Sequence, residues 1–276
     1  MKACDGTVKT ATSTPSLIFL GRELRRAREA AGMSQVQLSE MINYVPSFVS
    51  MVETADRTPK ADFTQACDKA LNLGGLLTRI LTELVIRDGV PEWFWPWIDV
   101  EREATSIRSF EPLVVHGLLQ TPEYARAVLD VRATSDEHLE KLVNARLERQ
   151  QILARDDPPV TVAIMDEGVL RRPVGGAEVM RGQLEYLVGL TGRRNIFLQV
   201  VPSSAGGYAG LGGPFVIAEL PTGNELVFME ATFSGHTLER PDHVAQVTRL
   251  WESLRDEALP GKQSIEFIKE VANTWI

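Results

Sequence analysis

Hydrophobic positions along the first third of the chain recur at helical spacing. Residues 17–31 place small or apolar side chains on one face of a helix: Leu20, Leu24, Ala27 and Ala31. The same spacing, together with capping signals, predicts four further short helices, over residues 35–42, 46–54, 63–73 and 75–87. The pattern therefore predicts an all-α N-terminal segment.

The junctions between the first helices carry residues that suit helix ends. Gly32 is typical of the left-handed residue that ends a helix. Ser34 and Gln37 have the spacing of a capping box, in which each side chain bonds to the backbone N–H of the other residue. Asn43 tolerates a left-handed turn, and Pro46 suits the first position of a helix. These signals predict two short helices joined by a tight turn, the geometry that lets the second helix lie in the DNA major groove.

The remaining two thirds of the chain have a mixed pattern. Helical spacing predicts helices at residues 98–109, 121–131, 136–154, 177–191, 241–258 and 264–273. Short apolar runs predict strands at residues 160–165, 196–201, 215–220 and 225–230, the last two joined by a hairpin turn at 221–224. We expect an α+β fold with a small, partly antiparallel sheet, and we expect Glu101, Arg102 and Glu103 to face solvent.

Residues 88–91, Asp-Gly-Val-Pro, are typical of a domain boundary. The sequence therefore predicts a disordered arm at residues 1–15, a helical domain at 16–88 and an α+β domain at 89–276. We expect the last to serve regulation and dimerisation.

Charge is distributed unevenly along the 276 residues, whose net charge is −8. Residues 15–90 contain nine basic and nine acidic side chains, so the acidity lies in residues 91–276. A neutral domain with an arginine cluster at residues 22–28 binds DNA phosphates weakly as a single copy. We therefore expect a homodimer.

Other chemistry is sparse. Cys4 and Cys67 form no metal-ligand motif, and two thiols in a chain of this size indicate a reducing compartment, so we expect a cytoplasmic protein. No apolar run approaches the ~18–20 residues of a membrane span. The glycine-rich segment 206–213 lacks the Gly-Lys-Ser/Thr ending of a phosphate loop, and a flexible or closely packed loop is the favoured interpretation. We expect no enzyme activity, no catalytic residues, no metal and no cofactor.

Three features of residues 32–59 occur together: a Ser-Gln-x-x-Leu opening at 34–38, a Val-Ser-x-Val-Glu segment at 49–53, and a proline six residues after that glutamate. This stretch resembles the helix-turn-helix of the Xre and lambda-repressor-like regulators. The resemblance implies a lambda-repressor-like fold that binds double-stranded DNA. Ser39 stands where alanine is usual, Asn43 replaces the usual turn glycine, and Met51 stands where many relatives carry Arg, Lys or Gln.

The same resemblance implies roles for individual residues. Gln35 would contact the DNA backbone and help to orient a base-reading side chain. Arg28 and Glu53 match a pair that forms a buried salt bridge in the family. The predicted DNA-binding set is Gln35, Pro46, Ser47, Ser50, Met51, Arg57 and Lys60. Since Pro46 and Met51 offer no hydrogen bonds to bases, readout would depend on the two serines and on apolar contacts with thymine methyl groups. An ordinary helical bundle or protein-interaction module is the alternative interpretation.

Three separated segments of the C-terminal part also carry a resemblance, at residues 107–121, 170–176 and 210–215. They are similar to segments of the C-terminal domain of actinobacterial WhiJ-type regulators. This resemblance implies a regulator of development or secondary metabolism, sometimes described as antitoxin-like, that works with a small acidic partner protein encoded nearby.

Two further groups are candidate ligand or partner contacts. Trp93 and Trp95 belong to an aromatic cluster that we interpret as a core plug, with a ligand-stacking platform as the alternative. Arg171 and Arg172 would form an anion-binding corner, with surface salt bridges as the favoured alternative.

Three functional hypotheses result. The leading one is a sequence-specific transcriptional regulator whose C-terminal domain dimerises and senses a protein partner or small ligand. The alternative is an antitoxin-like protein that mainly sequesters a small partner, with DNA binding secondary. An enzyme fused to a DNA-binding module would need a site at Asp166, Glu167 and His236 with strongly shifted pKa values.

Overall fold

The computed structural model describes residues 15–85, 90–231 and 234–276, except for the side chain of Glu92. The chain divides into two compact units, one ending at Val90 and the other beginning at Pro91. The predicted arm at residues 1–15 lies outside the described residues except for Pro15, which begins the first helix. The predicted boundary between residues 88 and 89 also falls among residues that are not described.

The described residues of the first unit are helical. Its helices are α1 (Pro15–Ala30), α2 (Gln35–Ile42), α3 (Pro46–Glu53), α4 (Ala61–Ala70) and α5 (Leu76–Ile80), with α5 continuing as a π-helical turn, Leu81–Val85. The prediction of an all-α segment is confirmed. The helix predicted at 63–73 begins earlier, at Ala61. It ends at Ala70, because Asn72 adopts a left-handed backbone with φ 53°.

The predicted capping residues shape the first three helices. Ser34 and Gln37 form the complete capping box at the start of α2. Asn43 ends α2 with φ 59° and ψ 45°, the left-handed conformation that the turn requires. Pro46 occupies the start of α3. These local choices fix the angle at which α3 leaves α2, so the turn is encoded by sequence-local chemistry.

The first unit has an apolar core between its helices. The completely buried side chains that line it include Leu20, Leu24, Leu38, Val49, Val52 and Leu77. Ala27 is half-buried, and the expectation that Ala31 faces the core is wrong. Ala31 is exposed because α1 ends at Ala30 and the chain turns away at Gly32, whose φ is 68°.

Gly21 is buried where α1 crosses the end of α3. A β-carbon at this position would lie 2.6 Å from the carbonyl oxygen of Val52 and 2.8 Å from that of Glu53. Since both neighbours are backbone atoms, they cannot rotate away. A glycine inside a helix costs about 1 kcal/mol relative to alanine, so its presence in α1 is explained by this close helix crossing.

We expect Gly21→Ala to destabilise the first unit by about 1–3 kcal/mol because the new methyl group overpacks the crossing. Gly182→Ala is the matched control: Gly182 is exposed inside a helix of the second unit and an added β-carbon would contact nothing. That variant should gain about 0.5–1 kcal/mol. Urea unfolding measures both changes, and a Gly21→Ala chain as stable as wild type would contradict the close crossing.

The second unit combines helices with a sheet. Its helices are α6 (Trp95–Glu103), α7 (Pro122–Asp130), α8 (Asp136–Arg149), α9 (Glu167–Arg171), α10 (Ala177–Leu190), α11 (Pro241–Glu257) and α12 (Gly261–Ala272). Its strands are β1 (Ser106–Glu111), β2 (Val160–Asp166), β3 (Ile196–Val201), β4 (Phe215–Glu219), β5 (Glu225–Ala231) and β6 (Ser234–Leu238). The predicted α+β class is confirmed. The helix predicted at 136–154 ends at Arg149 and continues as a 3-10 turn, Gln150–Ala154.

The six strands form one mixed sheet in the order β3-β2-β1-β4-β5-β6. The first three strands run parallel, and the pairs β1–β4, β4–β5 and β5–β6 are antiparallel. The predicted hairpin connects β4 and β5. The carboxyl ends of β1 and β2 lie side by side, because Glu111 pairs with Met165 in the parallel register.

The prediction of a helix at residues 98–109 is wrong in its second half. The helix is α6 and ends at Glu103, and residues 106–111 form β1 at the centre of the sheet. Ser109 and Phe110 are both completely buried on this strand. A central strand is covered on both faces and therefore lacks the alternation that marks a half-exposed strand. The strand β6 and the short helix α9 were likewise not predicted.

Glu101 is buried, which contradicts its predicted solvent position. Its carboxylate accepts hydrogen bonds from the guanidinium of Arg149 on α8, with nitrogen–oxygen distances of 2.7–3.2 Å. That guanidinium lies 4.4 Å above the ring of Phe94. Because Arg149 lies on a helix distant in sequence, the local pattern around Glu101 could not predict that this residue is buried. Arg102 is half-buried and Glu103 is exposed.

Candidate nucleic-acid interface

The exposed side of α3 has the properties of a surface that meets a partner. Val49 and Val52 point into the core, which turns Ser47 and Met51 outward. Met51 exposes 38% of its surface. Ser50 is half-buried beside it. The predicted division of α3 into a core face and an outer face is confirmed.

A buried ionic network holds α3 against the rest of the first unit. The guanidinium of Arg28 donates from Nε to one oxygen of Glu53 at 2.5 Å and from a terminal nitrogen to the other at 3.0 Å. Its second terminal nitrogen donates to the carbonyl of Met33 at 2.7 Å. Both side chains are almost completely buried. The hydrogen bonds that the guanidinium donates to Glu53 raise the pKa of Arg28, so this side chain stays protonated.

Gln35 is the third member of this network. Its side-chain nitrogen donates to Glu53 at 2.8 Å, so the start of α2 is tied to the end of α3. The resemblance implies that Gln35 contacts the DNA backbone and helps to orient a base-reading side chain. The structure adds a positioning function: one amide N–H is used by Glu53, and the half-buried side chain keeps a second N–H and a carbonyl oxygen for a phosphate or base-reading residue.

The segment after α3 is also fixed by backbone geometry. Asp56 and Arg57 both donate their backbone N–H groups to the carbonyl of Met51, at 2.8 and 3.2 Å. Ala55 is buried and adopts φ 61°, which reverses the chain there. Arg57 is thereby held next to the last turn of α3. Lys60 is exposed and immediately precedes α4.

Some cationic side chains of this unit are exposed and unpaired, although the charges of residues 15–90 sum to zero. Arg57, Lys60 and Arg22 are exposed and make no ion pair within the described ranges. By contrast, Arg25 pairs with Glu29 at 2.8 Å, and Arg28 is used by Glu53. Arg57, Lys60 and Arg22 are therefore available for DNA phosphates.

The aromatic candidates of the second unit pack on the sheet. Trp93 stacks on Phe228 of β5 with ring centres 6.3 Å apart, and Trp97 stacks on the same ring at 5.1 Å. A β-carbon on Gly235 would lie 2.6 Å from the Trp93 ring, so β6 also covers it. Trp95 is half-buried at the start of α6. These contacts favour the interpretation as a core plug, and Trp93 itself is half-buried.

The two candidate arginines, Arg171 and Arg172, have different contacts. Arg171 pairs with Glu167 at 2.6 Å and lies 5.8 Å from the centre of the Phe267 ring. Arg172 is exposed and forms no ion pair with the described residues. The salt-bridge interpretation therefore describes Arg171, whereas Arg172 keeps its charge for another partner.

The residues proposed for an enzyme site do not converge. Asp166 caps α9 and accepts a hydrogen bond from the hydroxyl of Tyr208. Glu167 accepts a hydrogen bond from the backbone N–H of Ser203 at 2.8 Å. Burial acts to raise the pKa of Glu167, but its hydrogen bonds with Ser203 and Arg171 outweigh burial, so the net shift of the pKa is downward. His236 lies on β6, four strands away from β2, a separation of about 19 Å at ~4.8 Å per strand.

The sequence analysis missed two features of the first unit: the hydrogen bond between Gln35 and Glu53, and the close helix crossing at Gly21. The bond between Gln35 and Glu53 has no local signal, because it joins two helices through a turn whose angle had to be known. Gly21 did have a signal, since a glycine within a predicted helix indicates close packing. The described residues contain no group of three or more His, Cys, Asp or Glu side chains arranged to hold a metal ion, and no described helix is long and apolar enough to cross a membrane.

Comparison with known families accounts for both units. Residues 20–80 match the model of a helix-turn-helix domain, and residues 96–270 match that of a domain of unknown function, DUF5753. Neither a curated protein nor a solved structure matches the chain. The first match supports a DNA-binding regulator, in agreement with the exposed α3 and its supporting network. The second covers more than half of the chain, and the protein therefore belongs to the DUF5753 family.

Proposed function

We propose that the protein is a cytoplasmic, homodimeric transcriptional regulator that binds operator DNA through α3. The observation that carries this proposal is the outward face of α3, held by the buried Arg28–Glu53–Gln35 network and flanked by unpaired cations. A network of this kind contributes orientation more than net stability, because desolvating the charges offsets much of their attraction. Orientation is what a helix in the major groove requires.

Dimerisation supplies the affinity that one neutral unit lacks. Each copy would contribute Arg57, Lys60 and Arg22 to phosphate contacts, and two copies would bind half-sites about one helical turn, ~10 bp, apart. We assign dimerisation and signal reception to the acidic second unit. Analytical ultracentrifugation should then give twice the 30.6 kDa mass of one chain. A single-chain mass at the concentration that binds DNA would contradict the dimer.

The recognition itself is proposed to use small contacts. Ser47 and Ser50 are the hydrogen-bonding side chains of the outer face, and Pro46 and Met51 would contact thymine methyl groups. Fluorescence anisotropy with DNA from upstream of its own gene, against shuffled DNA of equal composition, tests this. We expect tighter binding to the natural sequence and a steep decrease of affinity with salt. Equal affinity for both DNAs would favour the antitoxin-like alternative, in which a small protein partner is the main ligand.

We expect Arg57→Gln to reduce the slope of log affinity against log salt by about 0.9 for each bound copy, because one phosphate contact and its released counterion are lost. The loss should be similar for natural and shuffled DNA, since phosphates carry no sequence information. Arg181→Gln is the control, because Arg181 is an exposed α10 residue paired with Glu185. An unchanged slope for Arg57→Gln would remove this residue from the interface.

We also infer that the chain is a WhiJ-type actinobacterial regulator with a small acidic partner protein. The three segments at residues 107–121, 170–176 and 210–215 support this inference. Co-purification of the full chain with the small protein encoded next to it tests the partner. We expect the full chain to retain that protein. Elution of the small protein in the unbound fraction would count against a WhiJ-type assignment.

A further inference from the structure

The strand β6 forms one end of the sheet, so only one of its two edges is paired, with β5. Alternate residues of an antiparallel strand direct their backbone N–H and C=O groups to opposite edges. At the β4–β5 hairpin the N–H of Leu220 donates to the carbonyl of Asn224 at 2.9 Å, which sets this alternation. Followed through the register of β4, β5 and β6, it turns the backbone groups of Gly235 and Thr237 outward.

These outward groups are unpaired in the part of the chain that the structure describes. No described residue accepts from the N–H or donates to the C=O of Gly235 or Thr237. Edge strands are commonly protected from further pairing by charged side chains, prolines or a covering segment. The residues of β6, Ser-Gly-His-Thr-Leu, include no Lys, Arg, Asp, Glu or Pro. The outer edge of β6 is therefore a template for another strand.

The opposite edge of the same sheet is closed by the chain itself. On β3, the carbonyl of Val200 accepts a hydrogen bond from the N–H of Leu259 at 2.8 Å. The N–H of Val200 donates to the hydroxyl of Ser264 at 3.1 Å. Leu259 connects α11 to α12, and Ser264 lies in α12. Because this edge is covered, pairing at β6 would join two copies and then stop, which gives a closed dimer and not a filament.

The outward groups of β6 are complementary to those of a second β6. Gly235 and Thr237 flank His236 symmetrically along the strand. A two-fold axis at His236 therefore places Gly235 opposite Thr237 of the second copy, and Thr237 opposite the Gly235 of that copy. Each of these couples exchanges N–H···O=C hydrogen bonds in both directions, as in an ordinary antiparallel ladder. The two His236 residues face each other between them.

The charges around this edge also suit the approach of a second copy. The second unit is acidic overall, so two copies repel each other unless they meet at an uncharged surface. Glu230, which lies opposite Gly235 on β5, is paired with Arg132 at 3.0 Å. On the other face of the sheet, the exposed His236 lies beside Met229, which exposes 40% of its surface. Pairing of two β6 strands would cover part of this apolar surface.

We propose that two copies of this chain dimerise by antiparallel pairing of their β6 edges, which joins two six-stranded sheets into one continuous sheet. The proposal rests on the homodimer of the proposed function and names the surface that forms it. The observation that carries it is the contrast between the covered edge at β3 and the bare, uncharged, self-complementary edge at β6. Its test measures the oligomeric state without DNA, so DNA binding is a separate result.

Thr237→Pro tests the backbone pairing in the full chain. Proline lacks an N–H, and the N–H lost at this position is an outward one, so the hydrogen bonds to β5 are kept. We expect the dissociation constant of the dimer to rise at least about thirtyfold, because each opposed couple loses a hydrogen bond. Thr237→Val keeps the N–H and should change it at most about threefold. Sedimentation equilibrium measures both, and tryptophan fluorescence checks that the second unit is folded.

His236→Cys tests the register and remains informative if Thr237→Pro does not fold. Residues that face each other without hydrogen bonds in antiparallel strands have Cα atoms ~4.5 Å apart, within the range of a disulfide. The variant is made with Cys4→Ser, while Cys67 is buried and is retained. After oxidation we expect a covalent dimer on a non-reducing gel. Phe197→Cys, at an exposed position of β3 at the other end of the sheet, is the control and should remain a single chain.

Two results would overturn the pairing of β6 while keeping the homodimer of the proposed function. One is a wild-type dimer that a folded Thr237→Pro chain forms equally well. The other is a wild-type dimer in which His236→Cys forms no more covalent dimer than Phe197→Cys. A wild-type chain that sediments as a single copy would overturn both the β6 pairing and the homodimer.

Discussion

Glu53→Ala should destabilise the first unit by about 3–5 kcal/mol, because it leaves the buried guanidinium of Arg28 without its carboxylate. The loss is a large part of the stability of a small domain, which is about 5–15 kcal/mol. It would also release Gln35 and free α2 from α3. We expect DNA binding to disappear together with the fold of this unit.

Two optical signals separate the units in this experiment. All five tryptophans lie at or after Trp93, so tryptophan fluorescence follows the second unit alone. Urea unfolding of Glu53→Ala should therefore show early loss of helical circular dichroism with an unchanged fluorescence transition. The double variant Arg28→Met/Glu53→Leu removes both charges and should recover most of the loss. A single variant as stable as wild type would show that the buried pair does not support α3.

Ser47→Glu should reduce DNA affinity at least a hundredfold at low salt while leaving the protein folded. Ser47 is exposed in the first turn of α3, where a negative side chain is favourable for the helix but faces DNA phosphates. The expected loss corresponds to about 2.7 kcal/mol. Fluorescence anisotropy measures affinity, and urea unfolding checks that stability is unchanged.

Ala30→Glu controls for the added negative charge, because Ala30 is an exposed residue at the end of α1, outside the proposed interface. It should change DNA affinity several-fold at most. If Ser47→Glu binds DNA as tightly as Ala30→Glu, α3 does not enter the groove. The proposal of a helix-turn-helix regulator would then lose its central contact.

The first unit could be predicted closely from its sequence. The bounds of α2, the capping box at Ser34, the left-handed Asn43 and the buried Arg28–Glu53 pair were all predicted and are all observed. These features depend on neighbours a few residues away, or on a motif of fixed spacing. Local hydrogen-bond chemistry decides the helix caps before the chain is folded. The Arg28–Glu53 pair joins residues 25 positions apart and was predicted from the family resemblance.

The second unit was predicted less well at its centre. The α+β class and the β4–β5 hairpin were predicted correctly. The first residues of β1 were wrongly predicted as part of a helix, and Glu101 was wrongly predicted to face solvent. Strand β1 is covered on both faces, so its sequence carries no period-two pattern. Glu101 is buried because Arg149, which follows it by 48 positions, reaches it from another helix. Neither fact is contained in a short window of sequence.

Sequence alone determined that a helix-turn-helix precedes an α+β unit and which side of α3 faces outward, because periodicity and capping act within a few residues. Only the tertiary structure decided that Gln35 is bound to Glu53, that Gly21 permits the helix crossing, and that Glu101 is buried against Arg149. Those contacts join residues far apart in the chain, and their energies depend on burial. Burial is a property of the packed molecule and exists only once the helices and strands have come together.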